Sequence, residues 1–139
     1  IRIVDGNSVV KDRTGSGAVL TGFTDTDDVY RGMKAGLPIE PVFPDKKGMG
    51  TLLIPNTAAL IKNCPHPEEA RMLMDYLLSK EVEQKLAFSQ SVQMPLREDV
   101  PTPQDFVTID QIKAMAVDFE AMAEMMERST KFVQNEFLN

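Results

Sequence analysis

One cysteine and one histidine are all that 139 residues contain of the two side chains most used for metal and redox chemistry. Cys64 stands alone, so no disulfide forms within the chain, and cysteine usage leaves the compartment undecided. His66 alone excludes a multi-histidine metal site and, at a helix start where an acid and a serine would have to be brought to it by folding, lends no support to a catalytic triad. A basic excess is missing too. Fifteen Lys and Arg against 21 Asp and Glu give a net charge of -6, which leaves no electrostatic footprint for nucleic acid. No apolar run approaches the roughly 18 residues that span a bilayer, and "IRIVDGNSVV" lacks the order of a signal peptide, although a mature or truncated secreted protein fits equally. The catalytic signatures are missing as well: no G-x-S-x-G, no Walker loop, no dinucleotide fingerprint and no H-E-x-x-H. "TGSG" has two glycines and reads as a turn, not a phosphate cradle.

What is present is globular: 42% hydrophobic and 26% charged residues, in a length that suits one domain or a piece of a larger one. "IRIV" reads as a β-branched strand ending at "DGN", after which Ser8 caps a short helix. "AVLTGF" reads as a buried strand, and "DTDDVYRGMKAG" as a helix with acids in its first turn and Gly36 past its end. "PIEPVFP" is extended, its three prolines suiting an edge strand or a crossover. "GTLLIPNTAALI" reads as two short strands split at "PNT", or one strand with a break there. A helix follows His66-Pro67, with Glu68 and Glu69 at its positive end and Ala70, Leu73, Met74, Leu77 and Leu78 on one stripe. Ser79 caps the next helix, and a proline-bearing connector leads to a tail in which Ile112, Met115, Phe119, Met122 and Met126 keep helical spacing. The nine methionines read as core fillers.

The densest cluster of chemistry-bearing groups is "GFTDTDDVYRG". An EF-hand would need glycine at the sixth position and glutamate at the twelfth, where Tyr30 and Gly36 stand, so that kind of calcium site fails on spacing. Asp25 suits a helix cap, with Asp27 and Asp28 in the first turn where the dipole favours negative charge. A cap needs only one carboxylate, however, and adjacent acids repel. Ligand binding therefore stays open beside capping, the more so because open α/β sheets bind ligands at the carboxyl ends of strands.

"VDGNSVVKDRTGSG", "GFTDTDDVYRGMKAGLPIEPVFPD", "GMGTLLIPNTAALIKNCPHPEEARMLMDYLLSKEVEQKLA" and "QMPLREDV", taken in order, resemble the C-terminal part of the extracellular solute-binding proteins of bacterial ABC importers, nearest the ferric-iron-binding type. The resemblance implies an α/β, type II periplasmic-binding-protein-like fold with a mixed sheet and a helical tail. Residues 1–38 would form part of a second α/β lobe, 39–96 the crossover and return into the first lobe, and 97–139 C-terminal helices packing on the second. It implies a non-catalytic protein, periplasmic or extracellular and membrane-anchored through a preceding segment, that captures a small solute in an interlobe cleft and delivers it to a membrane permease. No cofactor is required. The ligand would be ferric iron (Fe3+) or another cation, with or without an anion.

The tandem tyrosines that hold iron in those proteins fall at Asp27 and Asp28, a partner-anion asparagine at Asn7, and a further polar cleft position at Asp25. Asn7 matches; the tyrosines do not, and Tyr30 lies two residues beyond, turned elsewhere by about 100° per residue. Carboxylates are hard oxygen donors like tyrosinate, so Asp27 and Asp28 are the metal candidates, and paired carboxylates equally suit a protonated amine. Asn7 and Ser8, at a helix start, would supply donors to an anion or a bound water. An aspartate-dependent hydrolase, and an interaction domain using the Met-rich tail as its surface, are the alternatives from other classes.

Overall fold

The computed structural model describes residues 2–90 and 92–138. Five α-helices account for its regular structure: α1 (Asn7–Gly15), α2 (Thr26–Lys34), α3 (Pro67–Leu77), α4 (Lys80–Phe88) and α5 (Phe119–Phe137), with a 3-10 turn at Ile109–Gln111. The protein is 44% helix and, among the described residues, has no sheet, so the expected α/β type II fold does not form. A single parallel bridge, Thr51 with Ala114, is the only strand-like pairing among them. The reason is one of partners. A strand needs a neighbour for its backbone N–H and C=O groups, and "AVLTGF" finds none: Leu20 and Phe23 are more than nine-tenths exposed, where a buried strand was expected. In "PIEPVFP" the prolines remove three of the donors that a ladder would use.

Helices form where local signals are strong. α1 begins after Gly6 at φ 103°, a conformation glycine tolerates, so Ser8 lies inside the first turn and is not the cap. α2 starts just after Asp25 and carries Asp27 and Asp28 at its positive end and Arg31 and Lys34 at its negative end, both favourable to the dipole. Gly36, at φ 80°, ends it. α3 has Pro67 at its first position, and in α4 the Ser79 hydroxyl accepts the Val82 N–H at 3.3 Å.

Two packed pairs result, α1 with α2 and α3 with α4, and α5 packs on no other helix. In the first pair Gly32 is buried because a Cβ there would stand 3.2 Å from the Lys11 side chain and 2.6 Å from Ile39. The second pair is tied to the connector by Glu83. Its carboxylate accepts the backbone N–H groups of Leu96 at 2.6 Å and Arg97 at 3.0 Å and pairs with the Arg97 guanidinium, which also donates to the Leu78 carbonyl at 2.7 Å.

Tyr30 joins α2 to the same connector. It is 2% exposed, stacks against Phe106 with ring centroids 4.1 Å apart, and accepts the Val107 N–H at 3.1 Å. The bridge joins the remaining segments: Thr51 N–H donates to the Lys113 carbonyl at 2.8 Å and Met115 N–H to the Thr51 carbonyl at 2.9 Å. Gly50, at φ 95°, permits this approach, since a Cβ would sit 2.6 Å from the Lys113 oxygen.

The core is correspondingly small: Tyr30, Val82, Ala87, Val92, Val100 and Ile112 are its buried apolar residues. Total accessible surface is 11,038 Å², against about 7,200 Å² expected for a compact monomer of this mass. The helical stripe expected on α3 stays half open, with Leu73, Leu77 and Leu78 each 44–56% exposed. The methionines expected as core fillers behave likewise: Met49, Met72, Met125 and Met126 lie on the surface.

Candidate functional site

The five residues singled out in sequence lie together where the N-terminal ends of α1 and α2 meet. Asn7 and Ser8 open α1; Asp25 precedes α2, and Asp27 and Asp28 occupy its first turn. Thr24 adds a third link, its hydroxyl donating to the Asn7 carbonyl at 3.2 Å. Adjacent positive helix ends explain why acids gather here, because three carboxylates share the field of two dipoles and a set of local donors.

The donors are allotted unequally. The Ser8 hydroxyl lies 3.1 and 3.2 Å from the two oxygens of Asp28, and Arg31, one turn along α2, approaches the same carboxylate at 3.8 Å. Asp28 is 5% exposed, so these contacts offset the loss of water that burying its charge entails. The Asn7 amide donates to Asp25, which is exposed and does not use its side chain to cap α2. Among the described residues Asp27 has no ion pair with a cationic side chain. Partial burial raises its pKa above the ordinary value of 3.8, and Asp25 adds to the rise through its negative charge and a side-chain hydrogen bond, with Asp28 contributing further repulsion.

Asp27 therefore interacts most closely with Asp25, and Asp28 is turned towards Ser8 and Arg31. Among the described residues no group of three or more His, Cys, Asp or Glu side chains is arranged to hold a metal ion. Asn7 and Ser8 direct their side-chain donors at the aspartates, where the resemblance had them facing an anion or a water. Chemically, the outward-facing part of the cluster is the Asp25–Asp27 pair: two oxygen-rich groups that favour a shared proton or a cation between them.

A second polar feature went unremarked in the sequence. A cavity of about 410 Å³ opens beside the C-terminal end of α2, lined by Arg31, Lys34, Ala35, Phe88, Ser89 and Gln90. The basic last turn of α2 is legible in "YRGMK", but only folding brings it near the end of α4. Lys34 there lies 5.2 Å above the Phe106 ring.

Compared with known proteins, the chain matches no family model, no curated protein and no solved structure.

Proposed function

We propose that the protein is a non-catalytic binding component that captures a small cationic solute at the α1–α2 junction, in the manner of an ABC importer's solute-binding protein handing its cargo to a membrane permease. One observation carries this reading: Asn7, Ser8, Asp25, Asp27 and Asp28, distant in sequence, converge on one corner with three carboxylates. The transport context rests on the sequence resemblance. In this corner Asp25 and Asp27 are the ligand-facing acceptors, while Ser8 and Arg31 hold Asp28 and Asn7 orients Asp25.

A cation entering between Asp25 and Asp27 takes the place of the proton that their mutual repulsion favours. Binding then releases protons and tightens as pH rises through the raised pKa of Asp27. Titration calorimetry with ferric nitrilotriacetate, Ca2+, Mn2+ and a short diamine, in buffers of different ionisation enthalpy, tests this. At least one probe binds with proton release, and Asp25→Asn with Asp27→Asn weakens it tenfold or more. Absence of heat from all four, or unchanged affinity in the double variant, rejects the assignment.

A further inference from the structure

A cleft separates the two helix pairs. α2 and α4 do not pack on one another, and between their C-terminal ends lies the cavity of about 410 Å³ lined by Arg31, Lys34, Ala35, Phe88, Ser89 and Gln90. That size falls within the roughly 300–1,000 Å³ of small-molecule sites. Its two walls differ in character. α2 contributes both cations, three residues apart and so on one face of the helix. The α4 side contributes Phe88, 55% exposed, and the Gln90 amide. No carboxylate lines the cavity, in a chain whose acids outnumber its bases by 21 to 15.

The cations are not spent on the protein. Arg31 stands 3.8 Å from Asp28, beyond hydrogen-bonding distance, so its N–H groups are not committed there. Among the described residues Lys34 has no ion pair; it lies 5.2 Å from the centre of the Phe106 ring, a contact that leaves ammonium N–H groups for a ligand. The negative end of α2 does not cancel them either. The carbonyls of Arg31, Gly32 and Met33 accept the N–H groups of Ala35, Leu37 and Gly36, each at 3.0 Å. Across the cleft the Leu86 carbonyl is likewise occupied, by the Ser89 hydroxyl at 2.9 Å.

These walls ask for two things of an occupant. Asp28 offsets one of the two positive charges, which leaves a surplus of one, matched by a single carboxylate. The Phe88 ring gains from apolar cover at roughly 25 cal/mol per Å². A bare inorganic anion leaves that ring wet, and a neutral aromatic leaves the cations unanswered.

We propose that the cleft between α2 and α4 binds a small aromatic carboxylate, its anion held by Arg31 and Lys34 and its ring laid on Phe88. The inference does not rest on the reading of the α1–α2 corner. It is tested by titrating phenylacetate into the whole isotope-labelled chain and following the backbone amides by NMR. Saturable shifts are expected, largest at Ala35, Phe88, Ser89 and Gln90, with phenylacetamide and inorganic phosphate binding about tenfold more weakly or worse. Lys34→Gln and Phe88→Ala each raise the dissociation constant about tenfold. Both side chains are exposed, so the amide spectrum of α1 and α3 stays in place and reports that each variant is folded. No saturable shift at about 10 mM phenylacetate, an affinity as high for phenylacetamide or for phosphate, or a dissociation constant unmoved by either substitution, each overturns the proposal.

Discussion

Tyr30 and Val107, 77 positions apart in the chain, share a hydrogen bond in which the phenolic oxygen accepts the backbone N–H at 3.1 Å. With the Phe106 ring against it, Tyr30 anchors α2 to the connector. Tyr30→Phe keeps the ring and leaves that N–H without its acceptor, at a cost of about 1–3 kcal/mol. Tyr30→Ala empties the largest fully buried position and costs about 3–5 kcal/mol. Urea unfolding measures both, and a Phe variant as stable as the parent would remove the hydrogen bond from the account.

Ser8 supports a buried charge. Ser8→Ala withdraws the one hydroxyl that reaches Asp28 among the described residues and leaves Arg31 at 3.8 Å, so about 1.5–3 kcal/mol of stability is lost. Combined with Asp28→Asn in a double-mutant cycle, Ser8→Ala gives a coupling of about 0.5–3 kcal/mol. Additive thermal melts would mean that the two side chains do not act as a pair.

Gly50→Ala combines a positive φ with a Cβ aimed at backbone atoms of Lys113 and Ala114. Strain of this kind costs about 1–3 kcal/mol. The loss is local, so amide exchange reads it directly: protection at Thr51 and Met115 falls while the helices keep theirs. Undiminished protection at both amides would show that the backbone does not need glycine here.

Asp27 and Glu83 respond to pH in opposite directions. Burial works against the Glu83 charge, but the Arg97 guanidinium and the N–H groups of Arg97 and Leu96 outweigh it and lower the pKa below 4.5. Its stabilisation is complete above that ordinary value and drains away as pH falls through the lowered pKa. For Asp27 the folded pKa is raised, so its contribution is complete below 3.8 and is lost as pH rises through the raised value. Asp27→Asn therefore melts higher than the parent near pH 7, and Glu83→Gln melts lower; both differences shrink towards about pH 3. A Glu83→Gln variant equal to the parent at neutral pH contradicts this.

Features set by neighbours in the chain were readable before folding was considered. Pro67, Ser79 and Gly36 mark helix ends by restricting φ, offering an acceptor or permitting a left-handed turn, and the helices respect all three. Asn7, Ser8 and the three aspartates were legible as chemistry-bearing candidates. Their internal partnering was not, because it depends on how α1 lies against α2.

Strand pairing is the opposite case. Apolar β-branched runs name candidates, but whether Leu20 and Phe23 are covered depends on distant segments that do not reach them. The tail shows periodicity misleading over a boundary. Helical spacing runs from Ile112 through Met126, yet Asp118 caps α5 by accepting the N–H groups of Glu120 and Ala121, and residues 112–117 turn instead to Thr51. An aspartate just ahead of "FEAM" was the available signal.

The Thr51–Ala114 bridge also has a topological consequence. It brings the entry and the exit of residues 52–113 side by side, so this stretch, with α3 and α4 inside it, is built as an insert whose two ends meet. Inserts of that form tolerate excision and re-joining. A short linker from Thr51 to Ala114 would release the α3–α4 hairpin but would also take Phe106 and Val107 away from Tyr30, so the insert is closed at its ends yet still packed on α2.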